Sequence, residues 1–167
     1  MSGLLGATPL STIREEYESL VAADFTHIIG LRDVRPIKRN NMARLFESTL
    51  KYKPTGTVDP LIVIAVMEIE SWFISENSHF TKVDQSLTPG NILANTNIDI
   101  TVNSENFDEP FETLQIIYSS VGETYTKSKD DAQRTISILD MRQYLADAGA
   151  RAPTVTPFVT RIQQILA

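Results

Sequence analysis

The chain has 167 residues, 42% of them apolar, and a formal charge of −6. Its length suits a single domain that buries roughly two thirds of its unfolded surface, and its apolar content excludes a disordered chain. It has no cysteine, which excludes disulfides, thiolate metal sites and a cysteine nucleophile and fits a reducing, cytoplasmic setting.

The start, Met1-Ser-Gly-Leu-Leu-Gly-Ala, lacks the basic region and long apolar stretch of a secretory signal. Residues 11–23 then predict a helix, with Ser11 as N-cap, Glu15 and Glu16 in the early turns, and a stripe of Ile13, Tyr17, Leu20 and Val21. Phe25 to Leu31 predicts a strand, with His27 as a structural residue at its middle, Gly30 near its end and Asp33 directly after it. Pro36 ends the extended stretch. Residues 38–50 predict a basic amphipathic helix with Met42, Leu45, Phe46 and Leu50 inward.

Pro54, Gly56 and Pro60 mark a loop. Leu61 to Met67 is the longest apolar run, too short for the ~20 residues that span a bilayer, and predicts a strand buried on both faces. A short helix follows from Ile69 to about Glu76, with Trp72 in the core beside Ile69 and Phe73. Residues 77–109 predict irregular structure, with an edge strand at Ile98–Val102 and His79 in a polar loop. Helices are predicted at about 110–121, 129–147 and 156–166, the last two separated by Gly149 and Pro153. Lys127, Lys129 and Arg134, with Asp130 and Asp131, read as a solvated helix start.

The pattern predicts one α/β domain over residues 1–167: a core at about 11–80, an irregular insert at 77–109 and a helical tail at 110–167. Strand, helix, buried strand and helix imply a right-handed crossover and a small, mostly parallel sheet flanked by helices. Ligands of such sheets sit beyond the carboxyl ends of the strands, which is where Asp33 and the pair Glu68 and Glu70 fall.

Charge is unevenly spread. Between residues 32 and 53, Arg32, Arg35, Lys38, Arg39, Arg44, Lys51 and Lys53 face only Asp33 and Glu47, a net +5 that leaves −11 elsewhere. Such a patch attracts phosphate or an acidic partner, or is a solvated helix face balancing acidic neighbours. Asp33 either holds Mg²⁺ at a strand tip, or caps a turn, or pairs with Arg32 or Arg35. Glu68 and Glu70 share one face if the strand runs on, and stand about 200° apart if a helix has begun. The histidines His27 and His79 have no partner at zinc-ligand spacing, and no phosphate-cradling glycine loop occurs.

Ile28-Ile-Gly-Leu-Arg-Asp33-Val-Arg35-Pro, followed by Ile62-Val-Ile-Ala-Val-Met-Glu68-Ile-Glu70-Ser-Trp72-Phe-Ile-Ser-Glu76, resembles an uncharacterised group of bacterial Toprim-like proteins over roughly residues 20–80. The resemblance implies a Rossmann-like core that binds Mg²⁺ and acts on phosphodiesters, as in topoisomerases, primases and overcoming-lysogenization-type nucleases, with a setting in phage defence. Asp33 would be the first carboxylate of the Asp-x-Asp motif and, with Glu70, a metal ligand. Glu68 would join these two as a catalytic carboxylate, and Arg32, Arg35, Lys38 and Arg39 would contact phosphate. The second motif position is Arg35, and the ten residues before the first helix hold no acid for the first-strand glutamate.

Two readings follow. One is an Mg²⁺-dependent phosphodiester or phosphoryl-transfer enzyme related to nucleases. The other is a non-catalytic binding module with a degenerate site, docking nucleic acid or an acidic protein through residues 32–53. An exposed sheet edge would favour homo-oligomers of either.

Overall fold

The computed structural model describes residues 9–167, and their side chains except for 9–13 and 145–149. The backbone forms two compact units, Met1–Ile64 and Ala65–Ala167, so the division falls inside the stretch read as one core.

The first unit runs α1 (Pro9–Ala22), β1 (Ile29–Asp33), a 3₁₀ turn at Arg39–Asn41, α2 (Met42–Lys51) and β2 (Leu61–Ala65). The strands pair in parallel, and the Leu61 N–H donates to the Ile28 carbonyl at 2.9 Å. Parallel neighbours need a crossover, which the segment carrying α2 supplies. Tyr17 and Ile28 form the buried centre, with Leu20, Val21, Val58 and Ile62 against them. The Tyr17 hydroxyl donates to the Val58 carbonyl at 2.7 Å and accepts from the Val58 N–H at 3.3 Å. These two bonds tie the loop after α2 to α1. A Cβ on Gly56 would lie 2.4 Å from that hydroxyl oxygen, so the loop's close approach requires glycine.

Several expectations for this unit need correction. The first helix is already formed at Pro9, so Ser11 lies inside its first turn and does not cap it. The strand begins at Ile29, not at Phe25, because α1 ends in a Schellman motif. Asp24 takes a left-handed φ of 60°, while the N–H groups of Asp24 and Phe25 donate to the carbonyls of Val21 and Leu20. Phe25 is therefore exposed. His27 lies exposed ahead of the strand, its Nδ1 2.9 Å from the Thr26 hydroxyl. On α2, Leu45 is buried and Met42 and Phe46 are half-buried, but Leu50 is 71% exposed. Five residues past Leu45, Leu50 is turned about 140° from it, and Thr49 takes the inward place. The second strand stops at Ala65, two residues early, because Met67 adopts a left-handed φ of 59°.

The second unit is helical: α3 (Glu70–Ser75), α4 (Phe80–Val83), α5 (Pro89–Thr96), α6 (Pro110–Ser119), α7 (Lys129–Ile138), α8 (Met141–Arg151) and α9 (Thr156–Leu166). Its core gathers Phe73, Ile74, Phe80, Leu87, Ile92, Ile100, Leu114, Ile117, Tyr118 and Tyr125. Trp72 is buried as predicted. It stacks on Phe158 at 5.9 Å between ring centres, and its indole N–H donates to the Thr154 hydroxyl at 3.3 Å.

Here too the local chemistry overrides parts of the sequence reading. Within 77–109, Thr88 caps α5 by accepting from the Asn91 N–H, Pro89 fills its first turn, and Asn97 ends it in a left-handed conformation. Ile98–Val102 is not a strand: the Asp99 carboxylate accepts from both the backbone N–H and the hydroxyl of Thr101. That turn places Ile100 in the core. The helix predicted over 129–147 is two helices, because Asp140 accepts from the N–H groups of Arg142 and Gln143 and starts α8 afresh. Gly149 lies within α8 and is not part of the break before α9. Among the described residues, no helix is long and apolar enough to cross a membrane.

Candidate functional site

Asp33 closes β1 in the first unit, half-buried. Glu68 and Glu70 open the second unit and engage residues of that unit. Neither geometry considered for the pair applies. The strand has stopped, the left-handed Met67 stands in a tight turn in which the Glu68 N–H donates to the Val66 carbonyl at 2.8 Å, and α3 starts only at Glu70. Glu68 therefore occupies the turn, its carbonyl accepting from the Ser71 N–H and hydroxyl, and both carboxylates converge on Lys127.

The Lys127 Nζ stands 2.5 Å from Glu68 Oε1 and 3.5 Å from Glu70 Oε2, and 5.3 Å from the centre of the Phe111 ring. Glu68 Oε2 accepts from the Phe111 N–H at 2.9 Å. Glu68 thus supplies the anion at the N-terminus of α6, whose own N-cap residue, Glu109, makes no side-chain cap. Glu70 Oε1 accepts from the Tyr125 hydroxyl at 3.0 Å. The loop carrying Lys127 is pinned on both sides: Thr126 donates its N–H and hydroxyl to Asp131, and Ser128 caps α7. Among the described residues, four non-glycine residues have positive φ, and two of them, Met67 and Lys127, deliver this cluster. Such conformations cost of order 1–3 kcal/mol each and persist where their surroundings hold them.

One ammonium faces two carboxylates. Burial, outweighing the pull of Lys127, pushes the Glu70 carboxyl above its ordinary value of 4.5. Burial and the adjoining Glu70 also push the Tyr125 hydroxyl upward, so it remains a donor. The cluster can hold a proton on Glu70. It does not fit a divalent cation as arranged, since both Glu68 oxygens are engaged and an ammonium already stands beside Glu70. Among the described residues, no group of three or more His, Cys, Asp or Glu is placed to hold a metal.

Three buried polar residues were not legible as such. Glu76, 1% exposed, accepts from the N–H groups of Ser78 and Asp140. Glu105 accepts from the N–H and hydroxyl of Thr154. His79 donates from Nδ1 to the Glu76 carbonyl, leaving its buried Nε2 without a hydrogen bond. Burial lowers the pKa of His79 below its ordinary 6.5.

Opposite pH dependences follow. A raised folded pKa means that stability is present below pH 4.5 and is lost as pH rises through the folded value of Glu70. A lowered one means that stability is present above pH 6.5 and is lost as pH falls through the folded value of His79. In urea titrations from pH 4 to 8, Glu70→Gln should flatten the decline toward alkaline pH, and His79→Gln the decline toward acid. Unchanged pH profiles in both variants would contradict these assignments.

In the first unit, the residues read as phosphate contacts lie along the basic segment. Lys38, Arg44 and Lys51 are exposed, while Arg32, Arg35, Arg39 and Lys53 are half-buried. A cleft of about 340 Å³ opens beside the end of this segment, its lining including Arg14, Lys51, Tyr52 and Lys53. Compared with protein-family models, with curated proteins and with solved structures, the chain matches none.

Proposed function

We propose that this chain is a binding module that docks a nucleic acid through residues 32–53, and that its buried carboxylates serve structure and not hydrolysis. The observation that carries this reading is the contrast in how charge is met. Lys127 answers the carboxylates at Glu68 and Glu70, whereas Lys38, Arg44 and Lys51 turn to solvent along the basic segment. On a chain of net charge −6, a local cationic strip is what makes an approach by phosphate favourable. An acidic protein would meet the same charges. The exposed face of Tyr52 beside them favours nucleic acid, because bases stack on aromatic rings. This reading takes the Toprim-like resemblance to supply a binding surface in place of Mg²⁺-dependent phosphodiester chemistry.

Oligonucleotide affinity measured across a series of salt concentrations tests the proposal. Log affinity should fall linearly with log salt, and replacing Lys38 and Arg44 by Gln should reduce that slope by about 1 each. Affinity indifferent to salt would refute it. Mg²⁺ alone should leave the thermal midpoint unchanged. A Mg²⁺-dependent rise that Glu70→Gln abolishes would overturn the proposal in favour of a metal-dependent enzyme.

A further inference from the structure

We propose that the cleft beside Tyr52 takes one unstacked nucleotide of a single strand, its base on the Tyr52 ring and its flanking phosphates on Arg14, Lys51 and Lys53. This inference rests on the docking of nucleic acid proposed above and names the form of nucleic acid that is recognised.

Three segments build the cleft. Arg14 comes from α1, Lys51 from the last turn of α2, and Tyr52 and Lys53 from the loop that follows. A merely solvated helix face would not bring cations from separate segments around one ring. Tyr52 is 49% exposed, with the Arg14 guanidinium carbon 6.0 Å and the Lys51 Nζ 5.4 Å from its ring centre. Both cations stand over the half-exposed ring as cation–π partners, and both lie on long side chains: a base stacks on the ring as the cations swing from it to the flanking phosphates. Among the described residues of the lining, Glu18 is the one carboxylate against three cations, so the cleft favours an anion. Lys53 pairs with Asp59 at 2.6 Å, but that carboxylate is 77% exposed. Such a surface pair gives way readily to phosphate.

The wall is set before any ligand arrives. Tyr17 lines the cleft, and its two hydrogen bonds to Val58 fix the returning loop. Gly56 lets that loop close onto the Tyr17 ring. A preorganised wall reduces the ordering cost of binding. At about 340 Å³ the cleft lies at the small end of ligand sites, suited to one nucleotide. In a duplex the bases are stacked inside and offer Tyr52 no face.

The test is fluorescence anisotropy of the whole protein with a labelled mixed-sequence single strand of about ten nucleotides and with its duplex, each at two salt concentrations. The single strand should bind more tightly than the duplex. Tyr52→Ala should weaken single-strand binding by about 5- to 100-fold, the effect of losing one stacked base, while Tyr52→Phe should preserve it. Lys51→Gln should reduce the salt slope by about 0.7. Each of these side chains is at least partly exposed, and the thermal midpoint of each variant verifies its fold. Salt-dependent binding that ignores both strandedness and Tyr52→Ala would overturn this inference while leaving docking through the basic segment intact. Absence of salt-dependent binding to either probe would end both. Displacement of the single strand by polyglutamate as effective as by unlabelled oligonucleotide would overturn it in favour of an acidic protein partner.

Discussion

Replacing Lys127 by Met should destabilise the protein by about 3 kcal/mol, with a fall of roughly 6–12 °C in the thermal midpoint. Methionine keeps most of the side chain's length and brings a sulfur near the Phe111 ring in place of the ammonium that stands 5.3 Å from its centre, so what is lost is the charge. Glu68 would retain the Phe111 N–H and Glu70 the Tyr125 hydroxyl, but neither carboxylate would face a cation. Removing one partner of a buried ion pair costs about 3–5 kcal/mol because the other charge is stranded. The lower end applies here, since the Lys127 side chain is 36% exposed and water reaches its position. A residue on a solvated helix start would instead change stability by less than about 0.5 kcal/mol.

Two controls distinguish stranded charge from lost packing. Adding Glu70→Gln to Lys127→Met should recover part of the loss, because the amide still accepts from Tyr125 and carries no charge, while Glu68, the nearer partner of Lys127 at 2.5 Å, still lacks its cation. The single and double variants then form a cycle whose coupling energy reports the interaction between residues 70 and 127. The deficit of Lys127→Met should also shrink toward pH 4, below the ordinary value of 4.5 above which burial holds the Glu70 carboxyl, where that group takes up a proton in folded and unfolded chains alike. A deficit that is constant with pH and unrelieved by Glu70→Gln would show that Lys127 does not act through Glu70.

The cluster shows where sequence reading reaches and where it stops. Leu61 to Met67 announces a buried strand because its β-branched run has no polar break, and that strand forms over Leu61–Ala65. Periodicity does not report that Met67 turns left-handed, yet that residue decides where Glu68 and Glu70 point. Composition groups Lys127 with the charges of α7. A local signal separates it from them: Ser128 with Asp131 three residues on is an N-cap pattern, which puts Lys127 before the helix and off its solvated face. Tyr125 and Glu70 are 55 residues apart, and no local pattern announces a pair that only tertiary packing brings together. In the first unit the basic segment was plain from composition, but the contribution of Arg14 to the cleft was not. Arg14 belongs to another helix and joins Lys51 only through the fold.

Glu76→Ala should cost about 2–4 kcal/mol, read as a lower urea midpoint with an unchanged slope. Glu76 is the C-cap residue of α3, and its carboxylate works as a clamp. Oε1 accepts from the Ser78 N–H at 2.9 Å and Oε2 from the Asp140 N–H at 3.2 Å. The first bond caps the 3₁₀ turn at Asn77–His79, which seats His79 and Phe80 in the interior. The second reaches the junction where α7 ends and Asp140 starts α8. Alanine would leave two N–H donors unanswered on the half-buried Ser78 and Asp140, each at about 1–3 kcal/mol before relaxation and solvent access. Glu76→Gln makes the sharper test, since it preserves shape and removes charge. An amide has one acceptor oxygen, so one of the two N–H groups would face an NH₂ that also donates. Gln should therefore recover only part of the loss. Full stability of Glu76→Gln would show that one bond suffices and that the link to Asp140 is dispensable. Full stability of Glu76→Ala would show that the clamp as a whole contributes nothing.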